Sequence, residues 1–197
     1  FAFNAGGGIV FLPKGRYLIS SKIWIPSNVA MCGAGKNLTV ITTESSYSGT
    51  ELIGFGENET DYSISNVGEN IGIMSMTIIG NGDTHPNRLT SSSNIKFRLI
   101  NGIWVNNVSL INLNLSKSMN ELIRIKPSSN VLIDNCYLHD VEMYAPLDGN
   151  YAANGISLGG GLSRLLFETE QVNYSTWIDN YVFSLNCINK CNGSRQS

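Results

Sequence analysis

The sequence predicts an all-β chain wound as a parallel β-helix, and three observations carry that prediction. The first is a repeat. Val108-Ser109-Leu110-Ile111-Asn112-Leu113-Asn114-Leu115, Val131-Leu132-Ile133-Asp134-Asn135-Cys136-Tyr137-Leu138 and Thr176-Trp177-Ile178-Asp179-Asn180-Tyr181-Val182-Phe183 superimpose, starting 23 and then 45 residues apart. Those offsets are one and two steps of a period of about 22, the spacing of a solenoid. The second is alternation: each copy carries apolar residues at period 2 and then meets Asn at the same register (Asn112, Asn135, Asn180). That pattern makes one-sided strands ended by a turn residue, with no helical 3.6 period. The third is composition. Among 197 residues are 24 Asn, 23 Ser and 20 Gly, with only 14% charged, which suits tight turns between thin strands. The Leu-x-x-Leu-x-Leu-x-x-Asn frame of leucine-rich repeats, whose length is similar, does not recur.

Taken along the chain, the opening rungs occupy 1–41. Gly6-Gly7-Gly8-Ile9-Val10-Phe11-Leu12 reads as a strand, Pro13-Lys14-Gly15 as a turn, and Arg16-Tyr17-Leu18-Ile19 as a second strand. Ile23-Trp24-Ile25 follows, and Asn28-Val29-Ala30-Met31-Cys32-Gly33 opens an early copy of the repeat. Residues 42–68 and 83–97 lack the pattern and read as insertions. Ile71–Ile78 is a weaker copy, repeated rungs run through 69–189, and 190–197 is a polar tail. One domain of about eight or nine rungs results. Rungs stack about 4.8 Å apart, so Asn112, Asn135 and Asn180 are expected in one column whose amides hydrogen-bond up and down. Asn also tolerates the left-handed backbone of a tight bend. Neither end offers an obvious cap, so the chain reads as a piece truncated from a longer solenoid.

A net charge of −2 without a basic stripe argues against nucleic acid. No apolar run approaches the roughly 18 residues of a membrane span. Cys32 and Cys136 sit in strand patterns as small core residues, while Cys187 and Cys191 could pair or stay free thiols. No metal site is expected, since paired Cys-x-x-Cys spacings and neighbouring His ligands are missing.

The run from Gly6 to Ile19, with Leu12-Pro13-Lys14-Gly15-Arg16-Tyr17 at its centre, closely resembles the opening rungs of the pectate-lyase-like, single-stranded right-handed parallel β-helix superfamily. There such a run follows an N-terminal capping helix, whose tail would be Ala5 and the residues before it. Met76-Thr77-Ile78-Ile79-Gly80-Asn81-Gly82 resembles that superfamily's strand ending in a Gly-Asn-Gly turn. The resemblance covers 1–41 and 69–189. It implies a right-handed coil and a polysaccharide-active protein, of the kind found in bacteria, plants and bacteriophage tailspikes, with an extracellular or virion-associated location. Catalytic signatures do not transfer with it. Arg124-Ile125-Lys126 matches the last polygalacturonase motif, but the three motifs that should precede it are missing. Trp177-Ile178-Asp179-Asn180 matches three of four residues of a pectate lyase motif, yet Leu132-Ile133-Asp134-Asn135 has nearly the same form one repeat earlier, as an ordinary rung would.

Candidate site residues therefore come from geometry. Asp134 and Asp179 share a column in the superposition, and two rung steps set them roughly 9.6 Å apart, the upper edge for an inverting carboxylate pair. The glycines of 154–161 would lie in the rung between. His139, Asp140 and Glu142 form a second cluster, a like-charge pair beside a proton shuttle. Asp83 and His85 read as surface loop. For binding, Trp177 offers a flat face for a sugar ring, and Arg124 and Lys126 face outward together, suited to an anionic sugar carboxylate. These residues predict a polysaccharide-degrading enzyme acting on an extended acidic glycan by hydrolysis, without a cofactor. β-Elimination is the alternative, with Ca²⁺ as its cofactor, and a non-catalytic glycan-binding or structural segment of a tailspike or adhesin is another. An exposed apolar strip along the rungs would favour a homotrimer.

Overall fold

The computed structural model describes residues 3–56, 67–86, 97–119, 121–126, 128–141, 154–158, 164–165 and 181–185. After a single 3-10 turn at Phe3–Ala5, where the resemblance implies the tail of a capping helix, the described residues form strands throughout. They are β1 (Gly8–Leu12), β2 (Gly15–Ile19), β3 (Ile23–Ile25), β4 (Val29–Gly33), β5 (Thr39–Thr43), β6 (Glu51–Phe55) and β7 (Gly68–Ile79). Then come β8 (Arg98–Gly102), β9 (Val105–Ser116), β10 (Glu121–Ile125), β11 (Ser128–His139), β12 (Asn154–Leu158), β13 (Arg164–Leu165) and β14 (Tyr181–Leu185). Two sheets result. One stacks β1-β4-β7-β9-β11-β14, with β2 on β5 and β5 on β7; the other stacks β3-β6-β8-β10-β12-β13. Every pairing is parallel except β12 with β13. Strands that leave one sheet, cross to the other and return one level up make a parallel β-helix. The stretch 42–68, read as an insertion, supplies β6 to the second sheet.

The repeat sets the register. Val131 lies on Val108 and Val108 on Ile71, and Ile133, Leu110 and Ile73 align in the same way. The copy opening at Asn28 joins the same stack, Met31 on Ile73. All of these apolar side chains are at most 5% exposed, each burial contributing about 1.5–3 kcal/mol. The second sheet adds Ile53, Ile100, Ile123 and Ile156 in one column. In the next inward column Gly102 lies on Phe55, and a Cβ at Gly102 would meet Phe55 Cε2 at 2.2 Å. The small residue is what makes room for the ring.

Two asparagine ladders run along the corners. Asn135 donates to Asn112 Oδ1 at 3.2 Å, and Asn112 to Ser75 Oγ at 3.3 Å. The second ladder, not foreseen from the repeat, links Asn130 to Asn107, Asn107 to Asn70 and Asn70 to Asn28 at 3.0, 3.2 and 2.9 Å. All six asparagines hold positive φ, from 49° to 62°, where a short amide side chain is tolerated. Each rung thus bends at two fixed points.

The third copy needs correction. β14 pairs β11 with Tyr181 on Val131 and Ser184 on Asp134, so the superposition placing Thr176 on Val131 is five residues out of register. β12 is not an intervening rung of the first sheet; it belongs to the second, on β10. Glu142, Trp177, Asp179, Asn180, Cys187 and Cys191 lie outside the described residues.

His85 also differs from its surface-loop reading. His85 is 3% exposed, with its ring 5.0 Å from Phe97 and Nε2 3.2 Å from the Gly49 carbonyl. Burial lowers its pKa below the usual 6.5, and the Gly49 carbonyl opposes that only in part. As pH falls, the unfolded chain takes up this proton first. The contribution is therefore fully present above about pH 6.5 and is lost as pH falls through the lowered folded value. The urea midpoint is expected to drop from about pH 7.5 to about pH 5, and to drop less in His85→Gln.

Candidate functional site

The twelve-residue strands β7, β9 and β11 end at one corner, with Ile79 on Ser116 in register and Ser116 on His139. The chain then turns in stacked steps: Gly82 N–H donates to the Lys117 carbonyl and Lys117 N–H to the Asp140 carbonyl, each at 2.9 Å. Lys117 and Asp140 both adopt left-handed backbone, φ 63° and 51°. Asp tolerates this; Lys is not a residue normally selected for it, and such strain gathers at functional sites.

The side chains at this corner converge. His139 Nδ1 is 2.8 Å from Asp140 Oδ2, and Nε2 is 2.9 Å from Asn114 Oδ1. The Tyr137 ring stacks on His139, centroids 4.5 Å apart at 29°. Lys117 Nζ forms an ion pair with Asp83 Oδ2 at 2.8 Å. Lys117, Asp83, His139 and Asp140 keep 20% to 42% of their side-chain surface exposed. Gly82, Lys117 and Asp140 occupy successive levels, so the backbones at Gly82 and Asp140 are two rung steps apart, about 9.6 Å of rise.

Asp134 lies on β11, and Asp179, its expected partner, lies outside the described residues. The register neighbours of Asp134 are Ile111 on one side and Ser184 on the other, and beyond Ile111 stands Met74, so no second carboxylate shares its column among the described residues. His139 and Asp140 are in contact, while Glu142, expected beside them, lies outside the described residues. Lys117, Asn114 and Tyr137 were missed, although a signal existed: Lys117 and Asp140 are 23 residues apart, as are Asn114 and Tyr137.

Arg124 lies elsewhere, on the outward side of the second sheet. Ile123 and Ile125 are fully buried while Arg124 is half-buried, as the alternation predicts; Lys126, just past the strand, is also half-buried. Arg124 Nη1 donates to Asn101 Oδ1 at 3.0 Å, and Asn101 donates in turn to Glu51 Oε2. Lys22 pairs with Glu51 at 3.2 Å and Arg98 with Glu121 at 2.5 Å. This polar ladder carries three cations against two carboxylates. Desolvation lowers the Arg124 pKa, and the neighbouring Arg98 charge adds to that. A desolvated guanidinium with surplus positive charge around it favours an arriving anion.

Among the described residues no group of three His, Cys, Asp or Glu is placed to hold a metal ion, and no helix is long and apolar enough to cross a membrane. Cys136 is a buried free thiol whose pKa burial pushes up to about 11.

A family model described as "Rhamnogalacturonase A/epimerase, pectate lyase-like" matches residues 2–194. The chain belongs to that family. It is also similar, at 25% identity over 144 residues, to the preneck appendage protein of Bacillus phage PZA, covering 64% of this chain and 16% of the relative. Among solved structures, ORF18 of Geobacillus virus E2 aligns with a TM-score of 0.59 at 22% identity, over 76% of this chain and 25% of that one. The A-module of the mannuronan C-5 epimerase AlgE4 from Azotobacter vinelandii aligns with a TM-score of 0.57 at 18% identity, over 80% and 41%. The chain spans less than half the length of each of these three, and the two structural likenesses show the fold: a right-handed parallel β-helix.

The strain at Lys117 gives a direct check on the corner. Lys117→Gly relieves a left-handed side-chain clash while adding unfolded-state freedom, so stability is expected to stay within about 1 kcal/mol of the parent. If the corner is a working site, turnover falls even though urea unfolding does not change.

Proposed function

We propose that this chain cleaves glycosidic bonds of an extended acidic polysaccharide by hydrolysis, as part of a virion appendage. The observation that carries the reading is the accessible corner where Asp83 pairs with Lys117 and His139 is held between Asp140 and Asn114. In this reading Asp83 accepts a proton from water as the water oxygen bonds to the anomeric carbon. The glycosidic C–O bond breaks, and His139, positioned by Asp140, delivers a proton to the leaving oxygen. One water is consumed and both new ends are hydroxyls. Tyr137, packed on His139, restricts the imidazole's orientation. Arg124 and Lys126 supply cationic wall for uronate carboxylates on the second sheet. Family membership supports a polysaccharide substrate, and the preneck appendage relative supports a virion-associated location; a homotrimer is the assembly this reading carries.

A second reading, a non-catalytic segment that binds glycan or extends the appendage, is favoured by the pairing of the corner's charges with one another: Lys117 with Asp83, and His139 with Asp140. A panel of acidic and neutral polysaccharides separates the readings when reducing ends and the ultraviolet absorbance of unsaturated products are followed together. Reducing ends without absorbance support hydrolysis. Both signals together would replace it with β-elimination, and silence on every polymer would favour the non-catalytic segment.

A further inference from the structure

The first sheet has an outward face that the corner does not use. Met31, Ile73, Leu110 and Ile133 are buried, so the residues on either side of each in its strand face away from the core. They form two columns across the rungs. One is Ile9, Ala30, Gly72, Ser109 and Leu132; the other is Phe11, Cys32, Met74, Ile111 and Asp134. Ile9 and Phe11 are 69% and 58% exposed, and from β4 onward the side chains of both columns are half-buried. Gly72 keeps this lane flat: a Cβ there would lie 3.0 Å from Ala30 Cβ and 3.2 Å from Met74 Cε, so the Met74 side chain lies across the glycine. Along one margin runs the ladder Asn28, Asn70, Asn107 and Asn130, exposed at every level. Asn70 and Asn107 each donate one amide hydrogen and accept one hydrogen bond within it, which leaves each a second N–H and a second lone pair.

We infer that this lane binds an extended, neutral β-1,4-linked glycan lying parallel to the coil axis. Rungs recur about every 4.8 Å, close to the advance of one ring in such a chain, so each level repeats the contact of the last. The C–H faces of the rings rest on Met74, Ile111 and Leu132, and the ring hydroxyls at one margin meet the amides of Asn70 and Asn107. Charge selects a neutral chain. Above Asp134 neither column holds an ionised group; beside the lane Glu69 is exposed, and the Lys36 ammonium sits on the Asn135 carbonyl at 2.8 Å. Two carboxylates against one cation disfavour a uronate polymer. Area selects a glycan over a second copy of the chain. From β1 to β11 and from ladder to ladder the lane measures about 19 Å by about 16 Å. That is about 300 Å², well below the roughly 800 Å² each partner gives to a stable protein interface. The Asn112 and Asn135 ladder separates the lane from Tyr137 and His139, and the inference does not rest on the corner being catalytic.

The test is saturation-transfer NMR on the Asp140→Asn chain, with cellohexaose, maltohexaose and hexagalacturonate as probes. Cellohexaose is expected to receive saturation with a dissociation constant on the order of 1 mM, and the coiled maltohexaose and the anionic hexagalacturonate markedly less. Ile111→Glu places a carboxylate on the outward face without entering the core and is expected to abolish the signal. Asn107 holds φ 55°, which glycine adopts without strain, so Asn107→Gly removes one amide and is expected to weaken binding about 2- to 10-fold. Circular dichroism of both variants is expected to stay that of the parent. No transfer to cellohexaose overturns the assignment, as does transfer unchanged in both variants. Equal or stronger transfer to hexagalacturonate overturns the neutral class, and to maltohexaose the extended geometry. Sedimentation is followed alongside: a parent oligomer that Ile111→Glu dissociates would give the lane to a second copy and overturn the glycan.

Discussion

Asp140→Asn is expected to lower turnover on a cleavable polysaccharide by about 10²- to 10⁴-fold, the usual worth of general acid–base catalysis, with little change in KM. The carboxylate contacts His139 Nδ1 at 2.8 Å and retains 34% of its side-chain surface in solvent. Asn preserves size and tolerates the left-handed backbone at this position, φ 51°, so the fold has no reason to respond. What changes is the partner of the imidazole, from a carboxylate that only accepts to an amide that can also donate, so the ring is no longer held in one orientation and tautomer. The effect should therefore appear in kcat. A structural role for Asp140 predicts the opposite division: an unchanged rate per folded molecule and a lowered unfolding midpoint. Full activity in Asp140→Asn together with full activity in Asp83→Asn would remove the corner from the mechanism.

The coil was legible because its register depends on residue types that recur. Val108, Val131, Asn112 and Asn135 repeat at 23 residues, and the pairings follow that step. The second ladder was equally visible, as an Asn directly before each strand's first inward residue: Asn28-Val29, Asn70-Ile71, Asn107-Val108, Asn130-Val131. It was overlooked because the superposition began one residue too late. The third copy failed for a physical reason. Tyr181-Val182-Phe183 has bulky apolar residues at consecutive positions, so it expresses no preferred face, and such a strand specifies its register weakly. The Ile-Asp-Asn likeness then selected a register odd by five, which exchanges the two faces. The corner was half legible. His139 and Asp140 are neighbours in sequence, but Lys117 and Asn114 reach them only through stacking, which a one-rung reading does not convey. The sheet-two ladder was largely hidden: Arg124 repeats nothing, and Glu51 lies in a stretch set aside as an insertion.

Gly80→Ala is expected to destabilise the chain by about 3 kcal/mol, at the upper end of what overpacking costs, and to disturb the corner as well. A Cβ at Gly80 would lie 2.4 Å from the Lys117 carbonyl oxygen, 2.6 Å from Phe97 Cε1 and 2.7 Å from Leu99 Cδ2. A rotamer change could relieve a ring or a methyl, but the nearest atom is backbone. Relief must come from parting the rungs, which strains the Gly80 N–H to Ser116 hydrogen bond of 2.9 Å and its neighbour from Gly82 to Lys117. In a solenoid each rung is stabilised chiefly by the rungs it touches, so opening this step weakens the stacking of β7 on β9. Gly15→Ala is the control: its Cβ would meet nothing closer than Tyr17 Cε2 at 3.6 Å, ordinary contact, and its unfolding midpoint should be near the parent's. The decisive comparison is between Gly80→Ala and Lys117→Gly under conditions where both remain folded. Turnover lost in both, with stability lost only in the first, ties the chemistry to the placement of Lys117. Turnover retained in folded Gly80→Ala would mean that the position of the Lys117 backbone is irrelevant to it.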